Sequence, residues 1–457
     1  MFEDELLAIT TEYLDRLVGF RTSLDTDRDL SEHGKCAKFL IKELKESGFN
    51  TKVIRKNGRM SVIGFKGNPD GETFVYNGHY DVVKDSAKWN HFFIRKKKIL
   101  GRSCYVGKGT NDMKGSISAM LAAIRVSSLK FVEERSMNRR IVIMLVPDEE
   151  TGGLLGTRNC LNKLVKEGFI KPERTKVLVG EATDLDATTR RRGRYIFRLS
   201  LPYREPVHDG PKKIHFRGKS MHSGLFSIHR YKRGELRHPV FDIAHANQAN
   251  ELKGLYHVEA GSYENGKFLP SPTNVVPALA IGYLDKRKVS PDWLNSFMKF
   301  SFFLTRTEIK SKPSEYGISI SCNRLSFSKN RAKLYIDIRI MNDNRDYICS
   351  QMIKIAGRAG IPAKDVSLIA FRNSLYSDGK WPYEIARLAE RVLGHPIRRK
   401  RENLGQSDSH MFAAYGIPVI EMGTEGGNEH APKEFVTMRS LVDLAQIYLS
   451  LINRYGY

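Results

Sequence analysis

Apolar residues in the first part of the chain occur in two patterns, at helical spacing and in short continuous runs. Residues 3–18 and 32–47 carry apolar positions at helical spacing, which predicts two amphipathic helices. Continuous apolar runs such as residues 140–146 predict buried strands. Asn57-Gly58 lies between two β-rich runs and predicts a tight hairpin turn. Because strands and helices alternate, the pattern predicts an α/β fold with a mostly parallel sheet wrapped by helices.

The alternation of predicted strands and helices does not continue through the middle of the chain. Residues 84–106 read as a polar connection with several aromatic residues, and the alternation of strands and helices stops at about residue 190. The elements predicted beyond it are a long hairpin over 318–327 and 332–340 and helices near 239–252, 291–304 and 345–357. This pattern predicts a second α/β domain, with an antiparallel sheet, inserted into the first. We therefore divide the chain into a domain formed by 1–189 and 373–457 and an inserted domain over 190–372.

Histidines and carboxylates follow four of the predicted strands directly. One strand runs into His79, a second into Glu149 and Glu150, a third into Glu181, and the loop after a fourth carries His430. In parallel sheets, ligands bind beyond the carboxyl ends of the strands, so these side chains are expected at one edge. Asp112 precedes a predicted helix, and with it these residues form a set of two histidines and three or four carboxylates. Such a set suits two divalent ions that share one bridging carboxylate, and zinc accepts these ligands.

Each of these residues also has an ordinary structural alternative. Asp112 just before a helix is typical of an N-cap. Glu149 and Glu150 are typical of a solvated turn, although adjacent carboxylates at the end of a buried strand are costly unless a positive group lies beside them. Asp81, two residues after His79, can accept the second ring N–H of the histidine and orient it.

The composition is that of a globular protein rather than a membrane-spanning or disulfide-rich one. The chain has 457 residues, 41% hydrophobic and 28% charged, which is ordinary for a globular protein of two or three domains. Its five cysteines are scattered without metal spacing, which favours a reducing, cytoplasmic compartment. No apolar run approaches the roughly 20 residues that span a bilayer, so no membrane partner is expected.

The chain is strongly basic, with a formal net charge of +24. Three clusters stand out, at 95–98, 190–194 and 398–401. They indicate either a surface for nucleic acid or an acidic substrate, or simply a solvated basic face. The chain contains no motif of a known nucleic-acid module, so we favour the solvated face and do not expect a nucleic-acid partner.

Nine segments together resemble one family. In chain order they are Gly78-His79-Tyr80-Asp81, Gly109-Thr110-Asn111-Asp112-Met113-Lys114-Gly115, Asp148-Glu149-Glu150-Thr151-Gly152-Gly153, Gly180-Glu181-Ala182-Thr183, Met221-His222-Ser223-Gly224, Asn274-Val275-Val276-Pro277, Asp337-Ile338-Arg339, Ser407-Asp408 and Glu429-His430-Ala431-Pro432. They resemble the co-catalytic zinc metallopeptidases related to acetylornithine deacetylase, succinyl-diaminopimelate desuccinylase, aminoacylase, glutamate carboxypeptidase and carnosinase. The resemblance covers nearly the whole chain. Ala182 stands where many of these enzymes have proline, and residues 225–270 and 300–332 look expanded.

The resemblance implies a role for each matched residue. Two Zn²⁺ ions, or Co²⁺ or Mn²⁺, are the implied cofactors, and the implied ligands are His79 and Glu181 for one ion, Glu150 and His430 for the other, and Asp112 for both. Asp81 would support His79, and Glu149 would be the general base toward water. His222 would polarise the scissile carbonyl, while Asn274, Arg339 and Ser407 would bind the substrate. The inserted domain would act as a lid or dimerisation domain in a homodimer.

The predicted function is therefore hydrolysis of the amide bond of an N-acyl amino acid, by a deacetylase or desuccinylase reaction, or of a short peptide. A dipeptidase, carboxypeptidase or aminopeptidase with the same metal centre is one alternative. A nucleic-acid-binding or scaffold protein that retains a hydrolase fold is an alternative of another class. A complete set of ligands argues against a vestigial site.

Overall fold

The computed structural model describes residues 2–23, 30–84, 92–130, 139–202, 292–305, 307–328 and 330–455, and the short strands at 215–218, 226–232, 235–239, 261–264 and 267–270. The chain divides into two compact units, residues 1–191 with 375–457, and residues 192–374. The boundaries drawn from the sequence, after residues 189 and 372, each lie two residues earlier. The predicted role of the inserted unit as a lid or dimerisation domain stays a prediction.

The first unit begins with helices and strands in alternation. Its elements up to residue 191 are α1 (Phe2–Gly19), α2 (Ser31–Glu46), β1 (Asn50–Lys56), β2 (Arg59–Gly67), β3 (Glu72–His79), β4 (Arg95–Ile99), β5 (Arg102–Val106), α3 (Gly115–Lys130), β6 (Arg139–Val146), α4 (Thr157–Lys166), β7 (Thr175–Val179) and β8 (Thr188–Arg191). The hairpin predicted at Asn57-Gly58 joins β1 to β2, and both turn residues have positive φ, 48° and 76°. Backbone of this kind matches the twist of the two strands.

The second unit is an antiparallel sheet with helices. Its elements are β9 (Gly193–Pro202), β10 (His215–Gly218), β11 (Phe226–Lys232), β12 (Glu235–Pro239), β13 (Gly261–Glu264), β14 (Lys267–Pro270), α5 (Asp292–Thr305), β15 (Ser319–Ser328), β16 (Arg331–Ile340), α6 (Arg345–Arg358) and β17 (Val366–Arg372). The strand order is β12-β11-β10-β15-β16-β9-β17, with β13 joined to β15 and β14. Along β16 every second residue is buried, and these residues pack with apolar side chains of α5 and α6. The helix predicted near 239–252 lies outside the described residues beyond Pro239.

The chain then returns to the first unit. The elements after residue 374 are β18 (Leu375–Tyr376), α7 (Lys380–Leu393), β19 (Arg401–Glu402), α8 (Ser409–Ala413), β20 (Val419–Glu421), β21 (Gly426–Gly427), β22 (Phe435–Thr437) and α9 (Met438–Tyr455). The main sheet has the order β1-β2-β6-β3-β7-β20-β8-β18. Its central strands β6, β3, β7 and β20 are parallel neighbours, and the flanking pairs are antiparallel. The predicted α/β fold around a mostly parallel sheet is therefore confirmed.

Burial explains why the central strands read as continuous apolar runs. Every residue of β6 after Arg139 is buried, because helices cover both faces of a parallel sheet. Helix α3 is itself enclosed, and nearly all of its described side chains are buried. Its small residues, such as Ser118, Ala119 and Ala122, let the neighbouring helices α1 and α9 approach closely.

A second, small sheet forms beside the main one in the same unit. It has the order β21-β22-β5-β4. The interpretation of residues 84–106 as a polar connection is wrong for 95–106, which form the hairpin of β4 and β5. Four of the five β4 residues are charged and exposed, so its sequence lacks the apolar alternation that predicts a strand, as is usual for edge strands that avoid aggregation. Leu100 and Gly101 form its turn at positive φ.

In the part of the chain that the structure describes, no helix is both long enough and apolar enough to cross a lipid bilayer.

Candidate dinuclear metal site

Three adjacent parallel strands bring most of the predicted ligands to one edge of the main sheet. Strand β3 lies between β6 and β7, and His79 at its end pairs in register with Val146 of β6. Glu149 and Glu150 follow β6 in a single tight turn, and Glu181 follows β7 after one glycine. These side chains meet because the carboxyl ends of parallel neighbours point the same way.

Asp112 lies between two imidazoles and touches both. Its Oδ1 is 3.0 Å from Nε2 of His79, and its Oδ2 is 3.0 Å from Nε2 of His430. The same nitrogen of His430 is 3.0 Å from Oε2 of Glu150, and Nε2 of His79 is 3.9 Å from Oε1 of Glu181. One carboxylate is therefore shared between two sets of potential ligands.

Two overlapping groups have ligand atoms that all lie within 4.8 Å of one another. The first is His79, Asp112 and Glu150, and the second is His79, Glu149 and Glu181. Donor atoms this close, with both imidazole and carboxylate chemistry, are of the types that bind divalent metal ions such as zinc, cobalt or manganese.

The turn that carries Asp112 does not act as a helix cap. Helix α3 begins at Gly115, and the Asp112 carboxylate contacts the imidazoles rather than backbone N–H groups. The peptide bond between Asp112 and Met113 is cis. The structure thus rules out the N-cap alternative.

Glu434 holds this turn from the other side, a contact that sequence analysis missed. Its Oε1 accepts the backbone N–H groups of Asn111 and Asp112, each at 2.9 Å, and its Oε2 accepts that of Gly109 at 2.8 Å. Burial raises the pKa of Glu434 to about 8, with the Asp112 carboxylate adding to the shift and the N–H donors opposing it. The nearest signal in the sequence is its position four residues after His430.

Asp81 connects His79 to the acidic turn. Nδ1 of His79 is 3.1 Å from the backbone carbonyl of Asp81 and 3.5 Å from its Oδ1. The carboxylate of Asp81 also accepts the backbone N–H groups of Glu149 and Glu150 at 3.3 and 3.1 Å. A carbonyl or carboxylate on the far ring nitrogen fixes the imidazole's orientation and leaves Nε2 free to bind a metal.

The site has more negative than positive charge. Burial raises the pKa of Glu149 well above its ordinary value, and the Glu181 carboxylate adds to the shift. Burial and the nearby Asp112 raise the pKa of Glu181 to about 8. Hydrogen bonds to Asp112 and Glu150 raise the pKa of His430 to about 11. Each of these three shifts favours the protonated form, because several carboxylates are buried close together.

Oε1 of Glu181 is a further reason to expect a cation at this site. Oε1 of Glu181 is buried and, among the described residues, no donor lies within hydrogen-bonding distance. A buried acceptor without a partner is costly, and a divalent cation beside His79 and Asp112 would satisfy it. The residues present therefore fit a pair of divalent ions.

Arg191 lies behind Glu181 and is a second residue that sequence analysis did not assign to the site. Its Nε donates to both oxygens of Glu421 at 2.8 and 2.7 Å, and its Nη2 is 3.8 Å from Oε2 of Glu181. The sequence interpretation of residues 190–194 as an exposed basic patch is wrong for Arg191 and Arg192, which are both 7% exposed. A run of arginines gives no signal that separates a surface from a buried ion pair.

Two of the predicted substrate-binding residues, Ser407 and Arg339, lie in the described part of the chain. Ser407 is in the first unit but only 1% exposed, and its hydroxyl group hydrogen-bonds with Glu421 and with Ser409. Arg339 belongs to the second unit, where its Nε donates to Asp337 at 3.0 Å. His222 and Asn274 lie outside the described residues, so their roles stay predictions.

Comparison with known proteins gives one family. The model of peptidase family M20/M25/M40 matches residues 75–454. A succinyl-diaminopimelate desuccinylase of Helicobacter hepaticus is 24% identical over 385 residues, which cover 83% of this chain and 79% of that protein. One from Wigglesworthia glossinidia brevipalpis is 30% identical over 148 residues, 32% of this chain. The chain spans only 37% of that relative's length.

Solved structures agree on the fold. The dipeptidase Dug1p of Saccharomyces cerevisiae superposes with a TM-score of 0.60 at 15% identity, covering 99% of this chain and 97% of that one. The aminopeptidase PepT of Bacillus cereus gives 0.59 at 14% identity, covering 99% of both. At these identities the likeness concerns the fold alone. Because the family model covers most of the sequence, the chain belongs to peptidase family M20/M25/M40.

Proposed function

We propose that this protein is a metal-dependent hydrolase that cleaves the amide bond of an N-acyl amino acid or a short peptide. The observation that carries the proposal is the position of Asp112, whose two oxygens lie 3.0 Å from the imidazoles of His79 and His430. A carboxylate that contacts two separate imidazoles in this way would be available as a ligand to two cations, and two-metal sites are a known means of catalysing hydrolysis.

The ligands divide into two sets around Asp112. His79 and Glu181 would hold one ion, and Glu150 and His430 the other, and we propose Zn²⁺ for both, with Co²⁺ and Mn²⁺ as substitutes. Ions bound there supply a Lewis acid toward the scissile carbonyl and lower the pKa of water.

Glu149 is our candidate for the general base. Of the two glutamates of the turn, Glu150 forms an ion pair with His430, and among the described residues no such pair to an imidazole is found for Glu149. Burial raises the pKa of Glu149, which favours proton uptake near neutral pH. It takes the proton of the attacking water and passes it to the leaving amine. Asp81 keeps His79 and the turn in place.

The substrate class rests on the relatives. Desuccinylases remove an acyl group from an amino acid, and the Helicobacter hepaticus enzyme matches most of this chain, so an N-acyl amino acid is our first candidate. We retain a short peptide as the second, because the domain predicted to bind substrate looks expanded in sequence. We further propose a homodimer through the second unit, and a reducing, cytoplasmic location in which Cys36, Cys104, Cys160 and Cys349 remain free thiols.

The first experiment is metal content together with hydrolysis of a substrate panel. Protein stripped by chelator is reloaded with Zn²⁺, Co²⁺ or Mn²⁺ and assayed with N-acetyl and N-succinyl amino acids and with dipeptides bearing free or blocked N-termini. We expect about two ions per chain and amine release that chelator abolishes. Protein that binds no metal would overturn the proposal.

A pair of histidine variants sharpens this experiment. His430→Ala should lose one of the two ions, because this imidazole contacts both Asp112 and Glu150. His395→Ala removes an exposed histidine of the same unit, whose Nδ1 lies 3.0 Å from the carbonyl oxygen of Pro396, and should keep both ions. Equal metal content in the two variants would contradict the ligand assignment.

A further inference from the structure

We propose that Glu434 is a positioning residue that fixes the turn carrying Asp112, so that this carboxylate can be shared between two metal ions. The inference rests on the proposed function, because it concerns how the metal ligands are held. Glu434 touches backbone rather than the reacting atoms, and none of the motifs matched in the sequence includes it.

The geometry is that of a buried carboxyl group surrounded by backbone donors. Glu434 is 2% exposed, and its two oxygens receive N–H groups from Gly109, Asn111 and Asp112 at 2.8 to 2.9 Å. Hydrogen bonds to a charged acceptor are shorter and stronger than neutral ones. A carboxylate in this position therefore holds most of one turn of backbone through a single side chain.

The turn needs such a partner because its own backbone cannot supply one. Gly109 has a left-handed φ of 76°, and Asp112 is extended, with φ of −117° and ψ of 91°. The regular hydrogen bonds of α3 start only after this point. Buried N–H groups without an acceptor are rare and costly, so the conformation of the turn depends on an acceptor brought from elsewhere in the chain.

Glu434 also ties the turn to the second imidazole. His430 and Glu434 lie on the same loop between β21 and β22, and His430 contacts Oδ2 of Asp112. On that loop Glu429 accepts a hydrogen bond from the Asn111 side chain. One loop therefore positions the Asp112 backbone and supplies a ligand beside its carboxylate.

This arrangement predicts an unequal effect on the two ions. The ion held by His79 and Glu181 keeps two ligands that follow the strands of the main sheet. The ion held by Glu150 and His430 depends on the loop that Glu434 secures. Loss of Glu434 should therefore weaken the second ion more than the first.

The test is Glu434→Gln, titrated with Co²⁺ alone after removal of all metal. Glutamine has the size of glutamate and keeps one acceptor oxygen. Its NH₂ group, however, would face one of the backbone N–H groups that donate to Glu434. We expect one of the two binding steps to weaken by about 10- to 100-fold, the range for lost support of a metal ligand. The amides of Gly109, Asn111 and Asp112 should also exchange with deuterium faster in the metal-free variant.

The control removes a buried carboxylate charge where no ligand is involved. Asp365→Asn in the second unit breaks an ion pair with Arg331, and Asp365 is 7% exposed. Its Co²⁺ titration should match that of the unsubstituted protein. Thermal melting confirms that each variant is folded. If Glu434→Gln does not fold, Glu434→Asp replaces it, because aspartate keeps the carboxylate but has a shorter side chain. That variant must show the same selective weakening of one metal-binding step.

The outcomes separate this inference from the proposed function. Unchanged Co²⁺ affinity at both steps, equal weakening of both, or unchanged amide exchange would overturn the role of Glu434. Absence of metal binding in the unsubstituted protein would overturn the proposed function. The exchange rates of the metal-free protein would then still decide whether Glu434 holds the turn.

Discussion

Replacing Arg191 by methionine tests a buried arginine that lies behind Glu181, one of the proposed metal ligands. Methionine keeps much of the apolar length of the side chain and removes its charge and its donors. In the intact protein, Nε donates to both oxygens of Glu421 at 2.8 and 2.7 Å, and Nη1 donates to the carbonyl of Leu404 at 2.8 Å. The variant leaves Glu421, which is fully buried, with the hydroxyl of Ser407 as its remaining side-chain donor among the described residues.

The size of the effect follows from that burial. Removing one partner of a buried ion pair leaves an uncompensated charge and costs about 3–5 kcal/mol. Arg399 provides a matched control, because it makes the same type of paired hydrogen bonds to Glu390 at the surface of the same unit. Its side chain is 42% exposed, and exposed pairs contribute about 0–1 kcal/mol. Arg399→Met should therefore change stability little.

The assay is the free energy of unfolding of the metal-free first unit, from hydrogen exchange of peptides covering residues 188–191 and 419–421 over a series of urea concentrations. This measurement separates the first unit from residues 192–374. The double variant Arg191→Met with Glu421→Met should recover most of the loss, since no buried charge remains. A loss in Arg191→Met no larger than in Arg399→Met would refute the reasoning.

Further predictions concern the metal site. Glu149→Gln should keep two ions and lower kcat by about 10²- to 10⁴-fold, and loss of an ion by metal analysis would instead make Glu149 a ligand. Below its raised pKa of about 11, His430 holds a proton that a metal ligand must lose. Metal addition at pH 7 in weak buffer should therefore release protons, and binding should strengthen as pH rises. A Cβ at Gly423 would lie 2.1 Å from the carbonyl oxygen of Glu181. Gly423→Ala should therefore weaken metal binding by titration, whereas Gly19→Ala, where the space is open, should not.

The sequence predicted the features that depend on regular backbone. Continuous apolar strands such as β6 indicated a parallel sheet. Because the carboxyl ends of parallel strands lie at one edge of the sheet, the side chains that follow these strands were expected to be neighbours. The structure brings His79, Glu150 and Glu181 to the same edge, although their chemical roles still await the experiments above.

The features that the sequence did not predict depend on contacts between distant segments. Glu434 binds backbone N–H groups more than 320 residues away, and a contact to backbone leaves no pattern in the residues it touches. Arg191 was grouped with its arginine neighbours because charge alone does not reveal burial. Strand β4 was missed because an exposed edge strand needs no apolar side.

The strand order of the main sheet has a consequence for synthesis on the ribosome. Strand β20 lies between β7 and β8, yet the whole second unit is translated between β8 and β20. At typical elongation rates this interval lasts roughly 10–50 s, during which β7 lacks one neighbour and the segment carrying His430 does not exist. A nascent chain can therefore present the ligands from β3, β6 and β7 well before it can complete the site. Capture of the proposed second ion should thus occur only after residue 430 has been synthesised.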